Sequence, residues 1–127
     1  GYILWQADAN PKVIIIATGS EVHLALQSGR ILQEQGISTR VVSLPSWEIF
    51  DAQSAKYRQQ VLPAHIWRRI TVEAGRTLGW ERYAGDRGIK IGLDHFGASA
   101  PADILFEEFG ITSAHIVEAA IKLAGDP

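Results

Sequence analysis

Five consecutive apolar residues, Val13-Ile14-Ile15-Ile16-Ala17, constrain this chain more than any other stretch in it. Four of them are β-branched, a side-chain shape that loses rotamer freedom in a helix and packs well on a pleated surface. A run this short suits a strand and falls well below the usual length of a helix. With no polar position it also has no face to give to water, so it reads as a central strand covered on both sides. Thr18-Gly19-Ser20 then turns the chain. Ser20 is the expected N-cap and Glu21 favours the positive end of a helix, whose apolar face carries Val22, Ala25, Leu26, Gly29 and Leu32. Gly36 is expected to end that helix.

The rest of the chain repeats the alternation. Tyr2 to Gln6 reads as a short first strand, followed by the turn signal Ala9-Asn10-Pro11. Further strands are expected over residues 41–44, 69–73 and 89–93. Short helices are expected over 47–52 and over 54–62, the second stopped by Pro63, which pushes its predecessor away from helical angles. Residues 75–88 mix glycines with Trp80 and Tyr83 and read as a loop holding a short helix. Pro101 suits the first turn of a helix over 101–109, closed by Gly110, and Thr112 or Ser113 caps a last helix reaching about Ala124. Strands alternating with helices indicate an α/β domain with a mostly parallel sheet. The 127 residues suit one domain, 1–127, and no repeat, low-complexity run or linker divides them.

Composition narrows the function. An apolar share of 46% and a charged share of 20% are those of a globular protein rather than a disordered one. Twelve basic against fourteen acidic residues leave a charge of -2, without the basic excess that a phosphate backbone demands, so nucleic acid is not an expected partner. No apolar run approaches the roughly 20 residues that span a bilayer, and no signal peptide opens the chain, so a cytoplasmic protein without a membrane partner is expected. The absence of Cys rules out disulfides, thiol nucleophiles and thiolate metal sites. Met is absent even at position 1, and Gly1 in its place suggests a segment of a longer polypeptide.

Ligands in open α/β sheets bind beyond the carboxyl ends of the strands, which selects three clusters. Thr18-Gly19-Ser20-Glu21 could present backbone N–H groups to an anion, but it lacks GxGxxG and GxxxxGK[ST], and Glu21 repels phosphate. A capped turn is the better-supported reading. Glu73, at the end of a buried strand, could serve as a general base, or as a structural carboxylate accepting from backbone N–H groups or Arg76; the structural role is favoured because no second catalytic group is fixed nearby. Asp94-His95-Phe96-Gly97-Ala98-Ser99 places Asp, His and Ser after one strand, but without a GxSxG elbow and too close in sequence for a Ser99–His95–Asp94 triad. Thr18, Gly19, Ser20, His95 and Ser99 therefore form the candidate anion or regulatory site. His23, His65 and His115 have no metal-ligand spacing. Trp5, Trp47, Trp67 and Trp80 suit partner anchors and core packing about equally.

Several stretches carry a family resemblance: Ile15-Ile16-Ala17-Thr18-Gly19-Ser20-Glu21-Val22, Val42-Ser43-Leu44-Pro45-Ser46, Phe50-Asp51, Tyr57-Arg58 with Val61-Leu62-Pro63, Val72-Glu73-Ala74-Gly75, and Phe96-Gly97-Ala98-Ser99-Ala100-Pro101 with Leu105-Phe106-Glu107-Glu108-Phe109-Gly110. In this order and spacing the chain, from near Trp5 to near Leu123, resembles the C-terminal domain of transketolase. The first block is shared with similar thiamine-dependent enzymes such as the pyruvate dehydrogenase β subunit and deoxyxylulose-phosphate synthase, whereas the Phe-Gly-Ala-Ser-Ala-Pro block favours transketolase.

The resemblance implies a three-layer α/β/α fold with a five-stranded mixed, mostly parallel sheet whose first strand is antiparallel. It implies a parent enzyme of the pentose phosphate pathway that moves a two-carbon ketol unit between sugar phosphates, using thiamine diphosphate and Mg2+ or Ca2+. Cofactor and substrate would lie between the two preceding domains, at the interface of a homodimer. Gly85-Asp86-Arg87-Gly88 departs from the family's Gly-Asp-Gly cation signature, and the glutamate that activates thiamine belongs to the middle domain, so that role is not transferred to Glu73. The expectation is a domain with no catalytic, cofactor or metal ligand of its own, which supports assembly and stability by packing against the preceding two domains. The alternative is a small-ligand regulatory module for phosphate or nucleotide.

Overall fold

The sheet grows outward from the apolar run. In the computed structural model, which describes residues 1–75, 77–92 and 111–127, Val13–Ala17 forms β2 and every one of its residues is buried. β3 (Thr39–Ser43) lies parallel on one side of it and β4 (Arg69–Val72) parallel on the other. β5 (Ile89–Ile91) extends the parallel set beyond β4, and β1 (Tyr2–Gln6) pairs antiparallel with β3 at the far edge. The order is β1-β3-β2-β4-β5, the five-stranded mixed sheet with an antiparallel first strand that the family resemblance implied.

Alternation along β2 sends its side chains into two separate cores. Val13, Ile15 and Ala17 face α1 (Val22–Glu34) and the last helix, α5 (Ser113–Ala124), together with Val41, Ile70 and Val72. Ile14 and Ile16 face the other layer, with Val42, Leu44, Phe50, Leu62, Trp80 and Tyr83. That layer comprises α2 (Trp47–Asp51), α3 (Ala55–Val61) and α4 (Glu81–Ala84). The result is a three-layer α/β/α domain.

β1 contains a bulge that the sequence did not announce. Ile3 pairs with Val42 and Trp5 with Val41, so Leu4 is the extra residue. Two residues apart on a regular strand, Ile3 and Trp5 would share a face. The bulge turns them apart: Ile3 packs with the Ile14 and Ile16 core, and Trp5 with the core under α1.

Helix α1 ends as expected. Gly36 has φ +81°, its N–H donates to Gln33 O and that of Ile37 to Leu32 O, the paired bonds of a Schellman closure. The start of α1 differs from expectation. Residues Gly19–Glu21 wind into a 3-10 turn, the helix proper begins at Val22, and Ser20 does not cap it. Its hydroxyl donates instead to Glu21 Oε1 at 2.8 Å. At α5 the cap is Thr112, whose Oγ1 accepts from His115 N at 3.2 Å.

β3 runs over Thr39–Ser43 rather than 41–44, because Thr39 and Arg40 are buried despite their polarity. Thr39 Oγ1 donates to Ile37 O. Arg40 donates to Gln6 Oε1 and to the carbonyls of Ala9, Gln60 and Val61, which ties β1, β3 and the end of α3 together. β4 ends at Val72 and β5 at Ile91, one and two residues short of expectation. The expected helix over 101–109 lies outside the described residues.

Candidate functional site at the carboxyl edge of the sheet

β2, β3, β4 and β5 all end on the same edge, and the first two candidate clusters follow β2 and β4 there. Gly19 adopts φ +61° to let the backbone turn directly after β2. Glu21 N donates to Thr18 O, and Ser20 O accepts from His23 Nδ1 at 2.6 Å, which places that ring's proton on Nδ1. Glu21 is only 3% exposed. Ser20, the hydroxyl expected to contact an anion, is thus engaged with a carboxylate that sits in the same turn. His95 and Ser99, the other expected members of this site, lie outside the described residues, as does Asp94.

Glu73 extends the edge from β4, its N–H donating to Ile91 O. Its Oε2 accepts from the indole N–H of Trp80, so the carboxylate is held by a side chain that sequence reasoning did not pair with it. Trp80 is buried, with its ring edge-on to Trp47 at 5.0 Å and beside Tyr83 at 5.8 Å. Gly79 has φ +91°, and a Cβ there would stand 2.8 Å from the Trp47 ring. Glycine is required at that position. Among the described residues the partner of this carboxylate is an indole, and Arg76, the side-chain partner expected from the sequence, lies outside them. Seven residues separate Glu73 from Trp80 in a segment without periodicity, so no pattern in the sequence signals the pair.

The four tryptophans serve the interior of the domain. Trp80 is buried, Trp5 and Trp47 are half-buried against the two cores, and Trp67 lies beneath the guanidinium groups of Arg68 and Arg87 at 4.3 and 3.5 Å. His23, His65 and His115 are exposed and stay apart. Among the described residues, no three His, Asp or Glu side chains stand together as cation ligands do.

The family model for the transketolase-like C-terminal domain matches residues 1–112 of this chain. The chain belongs to the transketolase family. It is 47% identical to a chloroplastic transketolase of Solanum tuberosum over 98% of its own length and 17% of that protein's. It is 44% identical to a transketolase of Halalkalibacterium halodurans over 96% of its length and 18% of that protein's. Among solved structures, the transketolase of Leishmania mexicana superposes with a TM-score of 0.85 at 40% identity, over 94% of this chain and 18% of that one. A Pichia stipitis transketolase in complex with sedoheptulose 7-phosphate superposes equally well at 41% identity, over 97% and 18%. The chain therefore spans less than a fifth of the length of these relatives.

Among the described residues, the carboxyl edge of this transketolase domain offers no cradle for the diphosphate of thiamine diphosphate. The carboxylates of Glu21 and Glu73, which follow β2 and β4, repel a diphosphate, and Glu73 is engaged by Trp80. Two exposed apolar side chains occupy the connections on the same edge: Ile49, 62% exposed, in α2 after β3, and Leu78, 76% exposed, after β4.

Proposed function

We propose that this domain is a non-catalytic part of a transketolase, an enzyme that transfers a two-carbon ketol unit between sugar phosphates, and that it supports the assembly and stability of the whole enzyme. The observation that carries the reading is coverage. Nearly the entire chain aligns with full transketolases at 44–47% identity, yet corresponds to less than a fifth of them. On this reading the chemistry, with thiamine diphosphate and a divalent cation, belongs to the remaining four fifths. The cofactor supplies the carbanion chemistry there, and no residue of this domain takes part in it.

The contribution of the domain follows from its surface. Ile49 and Leu78 are too exposed for the interior of the domain, and packing them against the two preceding domains removes apolar area from water. A parent enzyme acting as a homodimer gains stability from such contacts, because anything that binds only the folded state shifts folding in its favour. The family name does not fix the compartment. Relatives include chloroplastic proteins, and a cytoplasmic location remains part of this proposal. Among the described residues no helix is long and apolar enough to cross a membrane.

The test compares the parent enzyme with a form lacking this domain and with an Ile49→Asp/Leu78→Asp variant. Thermal unfolding, sedimentation and ketol transfer per folded dimer are measured. Both altered forms are expected to melt earlier and dissociate more readily, while the folded dimer retains turnover. An unchanged melting temperature and dimer in the truncated enzyme, or loss of turnover in a stable dimer, overturns the reading.

A further inference from the structure

On the layer opposite α1 and α5, an open groove of about 490 Å³ runs between α2 and α3 on one side and α4 on the other. Its volume is that of a small-molecule site. Three guanidinium groups line it, from Arg58, Arg69 and Arg82, and the only carboxylate in its lining is Asp51. That carboxylate is already engaged twice. Arg82 pairs with Oδ2 at 2.6 Å, and the Tyr83 hydroxyl donates to Oδ1 at 3.0 Å.

Among the described residues, the other two arginines carry charge without a counter-ion. Arg69 donates four hydrogen bonds, to the carbonyls of Ile66, Leu62, Pro63 and Tyr83. Carbonyl oxygens satisfy its N–H groups but bear no net charge. Burial accordingly lowers its pKa with no opposing carboxylate, whereas Arg40, also held by carbonyls, has Asp8 to offset part of the same effect. Arg58 donates only to Gln53 O, and among the described residues it has no acidic partner. Among the described residues, the groove thus concentrates two positive charges without an acidic partner, on a chain whose net charge is -2. A confined cationic cleft on a mildly acidic molecule suits a small anion rather than a nucleic-acid strand.

We propose that this groove binds a small phosphate monoester, with its phosphate held by Arg58 and Arg82 and stabilised by the charge of Arg69 behind them. Planar guanidinium groups suit tetrahedral oxyanions because two N–H donors can address two oxygens at once. A phosphate monoester near neutral pH carries close to two negative charges, which matches three arginines set against one aspartate better than a single carboxylate does. Arg82 meets Asp51 through Nη2, so its other N–H groups can address the oxyanion while Asp51 stays neutralised. The groove is separate from the carboxyl edge of the sheet, and the inference does not depend on how the parent enzyme works.

The test is calorimetric titration of the 127-residue chain at low salt with glycerol 3-phosphate, repeated with malonate as a dicarboxylate of similar charge. Arginine side-chain NMR signals report the site of contact. The expected result is saturable one-site binding of glycerol 3-phosphate that shifts the signals of Arg58 and Arg82 and weakens as salt is raised. Arg58→Gln, an exposed change that leaves the cores untouched, is expected to weaken binding about tenfold or more. Arg82→Gln is expected to weaken it further, since it leaves Asp51 facing the ligand. Ser20→Ala, at the carboxyl edge, is expected to leave it unchanged. Three results overturn the proposal: no saturable heat from the folded chain, undiminished binding by Arg58→Gln, or equal affinity for malonate.

Discussion

Tyr83 shows how one hydroxyl couples packing to pH. Its ring sits among Phe50, Trp47 and Trp80, and its OH reaches out to Asp51. Ionising it would bury a charge and set it against a carboxylate, so burial first, and Asp51 second, push its pKa up to about 12. The folded state therefore holds this proton more tightly than the unfolded chain does, where the value is near 10. The stabilisation is complete below pH 10 and is lost as pH rises towards 12. Chemical denaturation of the chain and of Tyr83→Phe, each from pH 8 to 11.5, measures this. The stability difference between them is expected to narrow by about 1–2 kcal/mol above pH 10, and parallel curves would refute it. Arg40 makes a related point about legibility. Arginine is seldom buried, yet Arg40 is 3% exposed, because four oxygen acceptors from separate parts of the chain converge on it. No local pattern reports such convergence.

Elements were legible where their signals were local. The apolar run of β2, the Gly36 closure of α1 and the Thr112 start of α5 all follow from a few adjacent residues, and the structure has each of them. Ser20 and Thr112 look alike in sequence, each a hydroxyl residue ahead of an amphipathic stretch, but only one is a cap. Thr112 has extended angles, φ -136° and ψ 158°, that aim its oxygen at the open N–H groups of α5. The 3-10 turn over Gly19–Glu21 places Ser20 inside the winding instead, where it turns to Glu21. Thr112→Ala is expected to cost about 1 kcal/mol in urea unfolding, and Ser20→Ala less than about 0.5 kcal/mol. Equal losses would mean that Ser20 caps after all. The β1 bulge belongs with the features that escaped notice. An alternating pattern reads the same with or without an extra residue, and only the pairing with β3 reveals that Leu4 is supernumerary.

At the scale of the whole molecule, β2 is the member common to both cores. Ile15 and Ile16 are adjacent, fully buried and on opposite faces. Ile15→Ala and Ile16→Ala are each expected to cost about 2–5 kcal/mol, and to leave a single unfolding transition by fluorescence and circular dichroism, since neither layer keeps a sheet without the other. Two separated transitions in either variant would show that the layers fold independently. The candidate site divides along similar lines. Glu73 was recognisable as a carboxylate at a strand end, but its indole partner was not, because Trp80 returns to it through a turn that depends on Gly79 passing Trp47. The sequence by itself determined the class of fold, the central strand, most helix boundaries and the family, because these rest on periodicity, turn residues and motifs carried by neighbouring positions. Tertiary structure decided which polar groups are buried and what satisfies them, which hydroxyl caps a helix, and where three arginines line one groove. Those outcomes depend on groups distant along the chain arriving within a few ångströms of one another, and hydrogen bonds and ion pairs act only at that range.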